Sequence, residues 1–269
     1  MKIQKQTGSA LIVILVVVMV LSVIGVMAIR SGIIGLSIAT NSQAAHIMDQ
    51  NNDAALFKIE DSSQFGEFLI GTGLFGYPKM ESNRDKELVI CYRGNSKDFY
   101  QFYNASLVYE NKSSLISNDK DETNYKKPIV EDIGGAERSG FCQIGDGKHD
   151  YVSGRSAAMT QIAVRVSSVA VDGNEPFSHY QEGTDTETGK LDEAVRLVVT
   201  TTTLMPVLSS QSEDTVNGCM ENLSYVDEAS SLETVSECLS RNAIPYKTQV
   251  SEYSLGQFIK KVKDVGASL

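Results

Sequence analysis

A run of almost uninterrupted apolar residues, 10–29, is the feature that most constrains this chain, with only Ser22 and Gly25 breaking it. A membrane-spanning helix needs about 20 apolar residues, whereas a cleavable secretory signal has an apolar core of about 7–15. Because a lone strand in lipid would leave its backbone groups unpaired, the run predicts a helix. The small residues around Met27 leave signal-peptidase cleavage before Ile29 as an alternative.

The helical pattern continues beyond the apolar run. Apolar residues recur at helical spacing at Ile34, Ile38, Ala45, Met48, Ala55 and Ile59. The first proline of the chain is Pro78, so nothing breaks the pattern earlier. We therefore expect one helix from about Ser9 to Glu60, about 78 Å long, apolar all round in its first half and amphipathic in its second.

The N-terminal residues resemble a known family of signals. A short basic leader with Lys2 and Lys5 ends at Gly8 and is followed by SALIVILV and the long apolar helix. This arrangement resembles the class III signal of type IV pilins and of type II secretion pseudopilins. Together with the run IRSGIIGLSIATNSQAAHIMDQNNDAALF, it is most similar to PilX-type minor pilins, over residues 5–60 well and over the rest loosely. The resemblance implies that prepilin peptidase cuts between Gly8 and Ser9, that the new Ser9 amine is methylated, and that the helix is retained.

Position 13 departs from the pattern of the family. Most pilins have Glu at the fifth mature position, and in this sequence that position is Val13. In the family, this carboxylate neutralises the N-terminal amine of the subunit already in the filament. A carboxylate buried in lipid costs a few kcal/mol without such a partner. A subunit with Val13 inserts more readily but cannot neutralise a subunit above it, which implies a place at the tip, as inferred for PilX-type pilins and GspK-type pseudopilins.

The charge distribution supports an anchored, acidic head. Residues 1–48 carry Lys2, Lys5 and Arg30, and all 34 acidic residues of the chain follow, beginning with Asp49. Positive residues before a membrane helix place the N-terminus in the cytoplasm, so we expect a single-pass inner-membrane protein of a Gram-negative bacterium with a periplasmic head. The acidic body argues against direct binding of nucleic acid.

The four cysteines predict two disulfide bonds. No pair has the Cys-x-x-Cys spacing typical of a metal site, and an even count beyond a membrane segment favours disulfides in an oxidising compartment. Four cysteines allow three pairings, and we expect neighbours in sequence to pair. The predicted bonds are Cys91–Cys142 and Cys219–Cys238.

The body of the chain has the composition of an antiparallel sheet. Candidate strands are residues 87–94, 99–110, 139–145, 159–171, 193–208 and 244–253. The strongest pair, 159–171 and 193–208, flanks a long acidic stretch, which predicts an antiparallel hairpin, and a phase change at Val169 predicts a bulge. We expect an α+β fold in which a pilin-like N-terminal helix packs on this sheet and the C-terminal region is disulfide-bonded.

Other segments complete the predicted organisation. Residues 66–81 are expected to link helix and sheet, 111–128 to form a surface loop and 209–218 to form a linker. A helix is expected in 228–243, started by a capping box of Ser230 and Glu233, and an amphipathic helix in 254–266. The predicted regions are a leader at 1–8, a membrane or filament-core half-helix at 9–30, an amphipathic half-helix at 31–62 and a head domain at 63–269.

Catalytic and metal-binding patterns do not stand out in the sequence. The histidines at 46, 149 and 179 belong to no metalloprotease or nucleophile motif, and GRSAA at 154–158 lacks the second glycine of a nucleophile elbow. Acidic runs at 119–122, 172–175 and 185–189 do not match the EF-hand spacing. We expect no enzyme activity, no cofactor and no bound metal.

The resemblance predicts a minor pilin that primes type IV pilus assembly and sits at the tip, supporting twitching motility, adhesion and DNA uptake. Its expected partners are prepilin peptidase, the other minor pilins and the major pilin through the N-terminal helix, with a PilY-type tip adhesin as a candidate. The alternatives are a GspK-like pseudopilin of a type II secretion system and a membrane-anchored periplasmic enzyme or binding protein.

Overall fold

The structure, a computed structural model, describes residues 9–94, 98–110, 127–135, 139–145, 150–152, 157–167, 195–226, 230 and 232–254. The chain divides into two compact units, Met1–His46 and Ile47–Leu269. All described residues of the first unit are helical, whereas the second unit contains the described strands and the remaining helices.

Helix α1 comprises Ser9–Ile59, a continuous α-helix of 51 residues, which agrees with the single long helix expected from the sequence. Within the second unit, its apolar positions Met48, Ala55 and Ile59 are buried. Ile34 and Ile38, which share the same periodicity, are 60% and 65% exposed. The amphipathic pattern is therefore used for packing only in the later part of the helix.

The described strands form one antiparallel sheet in the order β3-β2-β1-β4-β5-β6. The strands are β1 Glu87–Tyr92, β2 Ala105–Tyr109, β3 Ile129–Asp132, β4 Met159–Val166, β5 Arg196–Leu204 and β6 Tyr246–Ser254. The predicted antiparallel pairing of β4 with β5 is confirmed, with Ile162 opposite Thr201. The long helix, the antiparallel sheet and two disulfide bonds together make an α+β, pilin-like fold.

Three details of the sheet differ from the prediction. Strand β2 begins at Ala105 because residues Phe102–Asn104 form a 3-10 turn, and β3 was not predicted. The prediction of a strand at 139–145 is wrong. There, the Gly140 amide donates to the Ser106 hydroxyl at 3.0 Å, and an added Cβ would lie 2.4 Å from the Val89 carbonyl oxygen. The segment therefore crosses closely over β1 and β2 instead of pairing along an edge.

One face of the sheet packs against helical residues. Ala55, Leu56 and Ile59 of α1 share a core with side chains of β1, β2, β4, β5 and β6. Two short helices, α2 Phe65–Leu69 and α3 Gly76–Lys79, occupy much of the segment 66–81 that was expected to be a plain link, and α2 begins one residue before it. Phe68 and Phe75 of this segment pack with Phe65, and the three ring centroids are 5.7 to 6.5 Å apart. The link is therefore part of the core.

The opposite face of the sheet is covered by the C-terminal region. Met159 of β4 and Leu204 of β5 pack with residues from both disulfides, and Val89 of β1 packs with Phe141 and Leu223. Covered on both faces, β4 is buried at six consecutive positions from Met159 to Val164. Side chains on both faces of β4 are therefore buried, including the polar Thr160 and Gln161.

The expected linker at 209–218 is wrong, because helix α4 Glu213–Met220 occupies most of it. The Ser212 hydroxyl caps α4 by accepting a hydrogen bond from the Thr215 amide at 3.3 Å. Val216, Cys219 and Met220 turn toward the core. The polar residues that suggested a linker are thus the cap and first turn of a helix.

The capping box predicted at Ser230 and Glu233 is also wrong. Helix α5 comprises Val235–Arg241, and its capping box is formed by Thr234 and Glu237, which have the same spacing four residues later. The Glu233 carboxylate instead forms a bidentate ion pair of 2.7 Å with Arg241. The helix is present, but its predicted start is four residues too early because two matching motifs follow each other in the sequence.

Several predictions lie outside the described residues. These are the leader with Gly8, residues 111–126 of the expected surface loop, the bulge at Val169, positions 255–266 of the last expected helix, His149, His179 and the acidic runs at 119–122, 172–175 and 185–189.

Candidate functional site

The N-terminal part of α1 presents an exposed apolar surface. Its large apolar side chains from Leu11 to Ile38, here called the apolar helix surface, are 49% to 70% exposed. The helix is long and apolar enough to cross a membrane, and among the described residues it is the one helix that meets this criterion. The hydroxyls of Ser22, Ser37 and Thr40 donate to carbonyls one turn earlier, at 2.7 to 3.0 Å. These polar groups are therefore satisfied without water.

The residues singled out for processing and assembly lie at the start of this helix. Ser9 is the first residue of α1, and Val13 follows one turn later with its side chain 57% exposed. The first turn of α1 contains no acidic residue. Val13 is thus largely uncovered by the described residues, and its apolar character suits an apolar environment.

Three glycines interrupt the apolar helix surface. Gly25, Gly32 and Gly35 lie in the middle of α1, and a Cβ added to any of them would meet nothing within 4 Å. Packing inside the described chain therefore does not require glycine at these positions. Small residues on an apolar helix let a second helix approach closely, which larger side chains prevent.

The later part of α1 is fixed on the sheet by polar contacts as well as apolar ones. Asn52 is 1% exposed, and its side chain bonds to both Thr203 of β5 and Lys247 of β6. The Tyr253 hydroxyl of β6 donates to the Glu60 carboxylate at 3.0 Å. Burial, together with this carboxylate, raises the pKa of Tyr253, so its hydroxyl keeps its proton. These contacts set the register between helix and sheet.

Both predicted disulfides are present and lie in one buried cluster. Cys91–Cys142 ties β1 to the segment that crosses it, and Cys219–Cys238 ties α4 to α5. Gln161 of β4 joins the two regions, since its side chain accepts from the Cys142 amide at 3.2 Å and donates to the Met220 carbonyl at 2.8 Å. One disulfide bond thus holds the crossing segment on the sheet, the other joins α4 to α5, and Gln161 links α4 to the sheet.

A cavity of about 270 Å³ lies where β1 begins and β4 ends, beneath residues 223–226. Glu87 is 2% exposed and its carboxylate accepts hydrogen bonds from both the amide and the hydroxyl of Ser224. Burial raises the pKa of Glu87 to about 6, although the Ser224 hydrogen bonds and the nearby Arg165 charge oppose this change. The Arg165 guanidinium stacks on Tyr225 at 4.0 Å from the ring centroid.

Sequence reasoning did not identify this cavity or Asn52. The available signals were a lone arginine within the apolar strand MTQIAVRV, a glutamate directly before LVICY, and an asparagine on the apolar face of α1. Buried polar residues of this kind need partners, but the partners come from distant parts of the chain. Within the described ranges, no group of three or more His, Cys, Asp or Glu side chains is placed to hold a metal ion.

No protein-family model matches the chain, and neither a curated protein nor a solved structure is significantly similar to it.

Proposed function

We propose that this chain is a PilX-type minor pilin, which primes assembly of a type IV pilus and sits at its tip. One observation carries the proposal. A single helix combines an exposed apolar N-terminal portion without acidic residues and a later portion packed on an antiparallel, disulfide-bonded domain. A plain membrane anchor needs only the first of these features.

The proposed location before assembly is the inner membrane. The apolar helix surface lies in lipid, where helix α1 satisfies its own backbone hydrogen bonds. Lys2 and Lys5 keep the N-terminus in the cytoplasm, which places the sheet and both disulfides in the oxidising periplasm. Prepilin peptidase then cuts between Gly8 and Ser9, and the Ser9 amine is methylated.

In the proposed filament, the apolar helix surface exchanges lipid for the helices of neighbouring subunits. The hydrophobic effect does not drive this exchange, because lipid and helix surfaces are similarly apolar. Close packing between the helices therefore has to supply the affinity and the specificity. Gly25, Gly32 and Gly35 provide room for such packing. Other minor pilins and the major pilin are the proposed partners through this surface, and a PilY-type adhesin is a proposed partner of the head.

Val13 supports the proposed place at the tip. A subunit inside the filament would need a carboxylate at this position to neutralise the amine of the subunit above. Val13 supplies none, so the chain is suited to a position with no subunit above it. From the tip, the head domain would act in adhesion, twitching motility and DNA uptake.

The test compares Val13→Glu with the matched control Val16→Glu. Both variants introduce one carboxylate into the apolar run, at a similar insertion cost of about 3 kcal/mol. Immunogold labelling of the head should find wild type and Val16→Glu only at filament ends. Val13→Glu should prime fewer filaments and also appear along their shafts.

Labelling of wild type along the shaft would refute tip placement. Unchanged filament number after deletion of the chain would refute a role in pilus assembly. If secretion of folded exoproteins failed in the deletion strain while pili persisted, the chain would be a pseudopilin of a type II secretion system.

A further inference from the structure

The cavity beside Arg165, here called the Arg165 cavity, has a donor that the described chain leaves unused. The Nε atom of Arg165 is buried and has no hydrogen-bond acceptor among the described residues. Among the described residues, the guanidinium makes one hydrogen bond, from its terminal nitrogen NH1 to the Val166 carbonyl at 3.4 Å. Buried donors normally have a hydrogen-bond acceptor, so a donor without one, on a side chain that lines a cavity, indicates an acceptor that comes from outside.

The neighbouring charges of the Arg165 cavity already have partners. The Lys86 amine pairs with Glu131 at 3.3 Å, and Glu110 accepts a hydrogen bond of 2.9 Å from Ser230. Glu87 is occupied by the two donors of Ser224. Arg84 and Asp85 also line the cavity and have interactions of their own, so Arg165 is the charged side chain of the described lining that keeps an unused hydrogen-bond donor.

The orientation of Arg165 is fixed by Tyr225. The guanidinium lies over the Tyr225 ring at 4.0 Å from its centroid, and this contact orients the guanidinium plane. A planar guanidinium edge matches a carboxylate, which can accept two parallel N–H bonds. Val166, Leu223 and Val226 line the same cavity and would contact the methylene groups of a ligand.

We infer that the Arg165 cavity binds the carboxylate of an acidic side chain on a partner protein. A free small carboxylate shares this chemistry. The cavity volume of about 270 Å³ is slightly below the range of small-molecule sites, about 300–1,000 Å³, however, and suits one inserted side chain with its apolar stem. The inference does not depend on the role in pili, since it concerns the head domain alone.

The experiment uses the full chain in detergent micelles, with ¹⁵N-labelled arginine to follow the Nε–H resonance of Arg165. The probes are a blocked peptide Leu-Glu-Leu, the matched peptide Leu-Gln-Leu and sodium acetate. The glutamate peptide should move the Arg165 resonance and bind about tenfold or more tightly than the glutamine peptide, as one charge-assisted hydrogen bond allows. Arg165→Lys should lose about tenfold in affinity, whereas the control Arg196→Lys on β5 should not.

Three outcomes would overturn the inference. Equal binding of the two peptides would show that no carboxylate is recognised, and an Arg165 resonance that does not move would place binding elsewhere. If acetate binds as tightly as the glutamate peptide, the ligand of the cavity is a small carboxylate and not a side chain of a partner protein. The resonance measurement on wild type decides the question even if Arg165→Lys fails to fold.

Discussion

The side-chain carbonyl of Asn52 in α1 accepts a 2.7 Å hydrogen bond from the hydroxyl of Thr203 in β5, across 151 residues of sequence. The amide nitrogen of Asn52 donates to the Lys247 carbonyl at 3.1 Å, so one buried side chain joins the helix to two strands. Thr203 is also within 2.7 Å of the Thr160 hydroxyl of β4. This network fixes where the long helix lies on the sheet.

Replacing Asn52 by leucine should therefore destabilise the head. The substitution keeps the branching at Cγ, although leucine is larger, and it leaves the Lys247 carbonyl without its side-chain donor and buries it against an apolar group. We expect a loss of about 2 kcal/mol in the free energy of unfolding, measured by urea titration in micelles. Phe57→Ala, at a 75% exposed position of the same helix, is the control and should change it by less than about 0.5 kcal/mol. Equal effects of both variants would contradict the role of Asn52.

Removal of each disulfide should destabilise the fold by an amount that follows the loop it closes. The sequence separations are 51 residues for Cys91–Cys142 and 19 residues for Cys219–Cys238. Loop-closure entropy predicts losses of about 4 and about 3 kcal/mol for the paired alanine variants. Urea unfolding of the two variants and of the wild type with both disulfide bonds formed checks these values. A variant as stable as the wild type would show that the removed disulfide bond does not stabilise the fold.

Glu87 should make stability depend on pH. Burial raises its pKa from 4.5 in the unfolded chain to about 6 in the folded one, so the folded state binds the proton more tightly. This stabilisation is fully present below about pH 4.5 and is lost as the pH rises through about 6. From the lower to the upper of these pH limits, the free energy of unfolding of the wild type should fall by about 2 kcal/mol relative to that of Glu87→Gln. If the difference in the free energy of unfolding between the two proteins stays constant from about pH 4 to pH 7, the raised pKa of Glu87 is contradicted.

The glycines of the apolar helix surface give a prediction about assembly. Gly32→Leu makes the helix more apolar, so insertion into the membrane should not suffer. Its larger side chain should block close approach of a second helix and reduce the amount of the chain in sheared filaments. Ile34→Leu, on the same exposed segment, is the control. Incorporation of Gly32→Leu at the level of this control would show that close packing at Gly32 is not needed.

The sequence was sufficient for features set by local pattern. The long helix, the β4–β5 hairpin and both disulfides follow from apolar periodicity, turn composition and cysteine spacing. The crossing segment at 139–145 was misread as a strand because SGFCQIG has strand composition, while its course is set by Gly140 lying against β1 and β2. The Arg165 cavity joins Glu87, Arg165 and Ser224, which are far apart in sequence, so no local pattern indicates it.

The N-terminal peptide of the mature protein tests the central claim most directly. The claim is that Ser9 begins a retained helix that serves first as membrane anchor and then as filament core. Mass spectrometry of the protein purified from cells should find a peptide that starts at N-methylated Ser9, and deletion of prepilin peptidase should restore residues 1–8. A chain that starts at Met1 in the presence of the peptidase, or one that starts at Ile29 after signal-peptidase cleavage, would contradict the account.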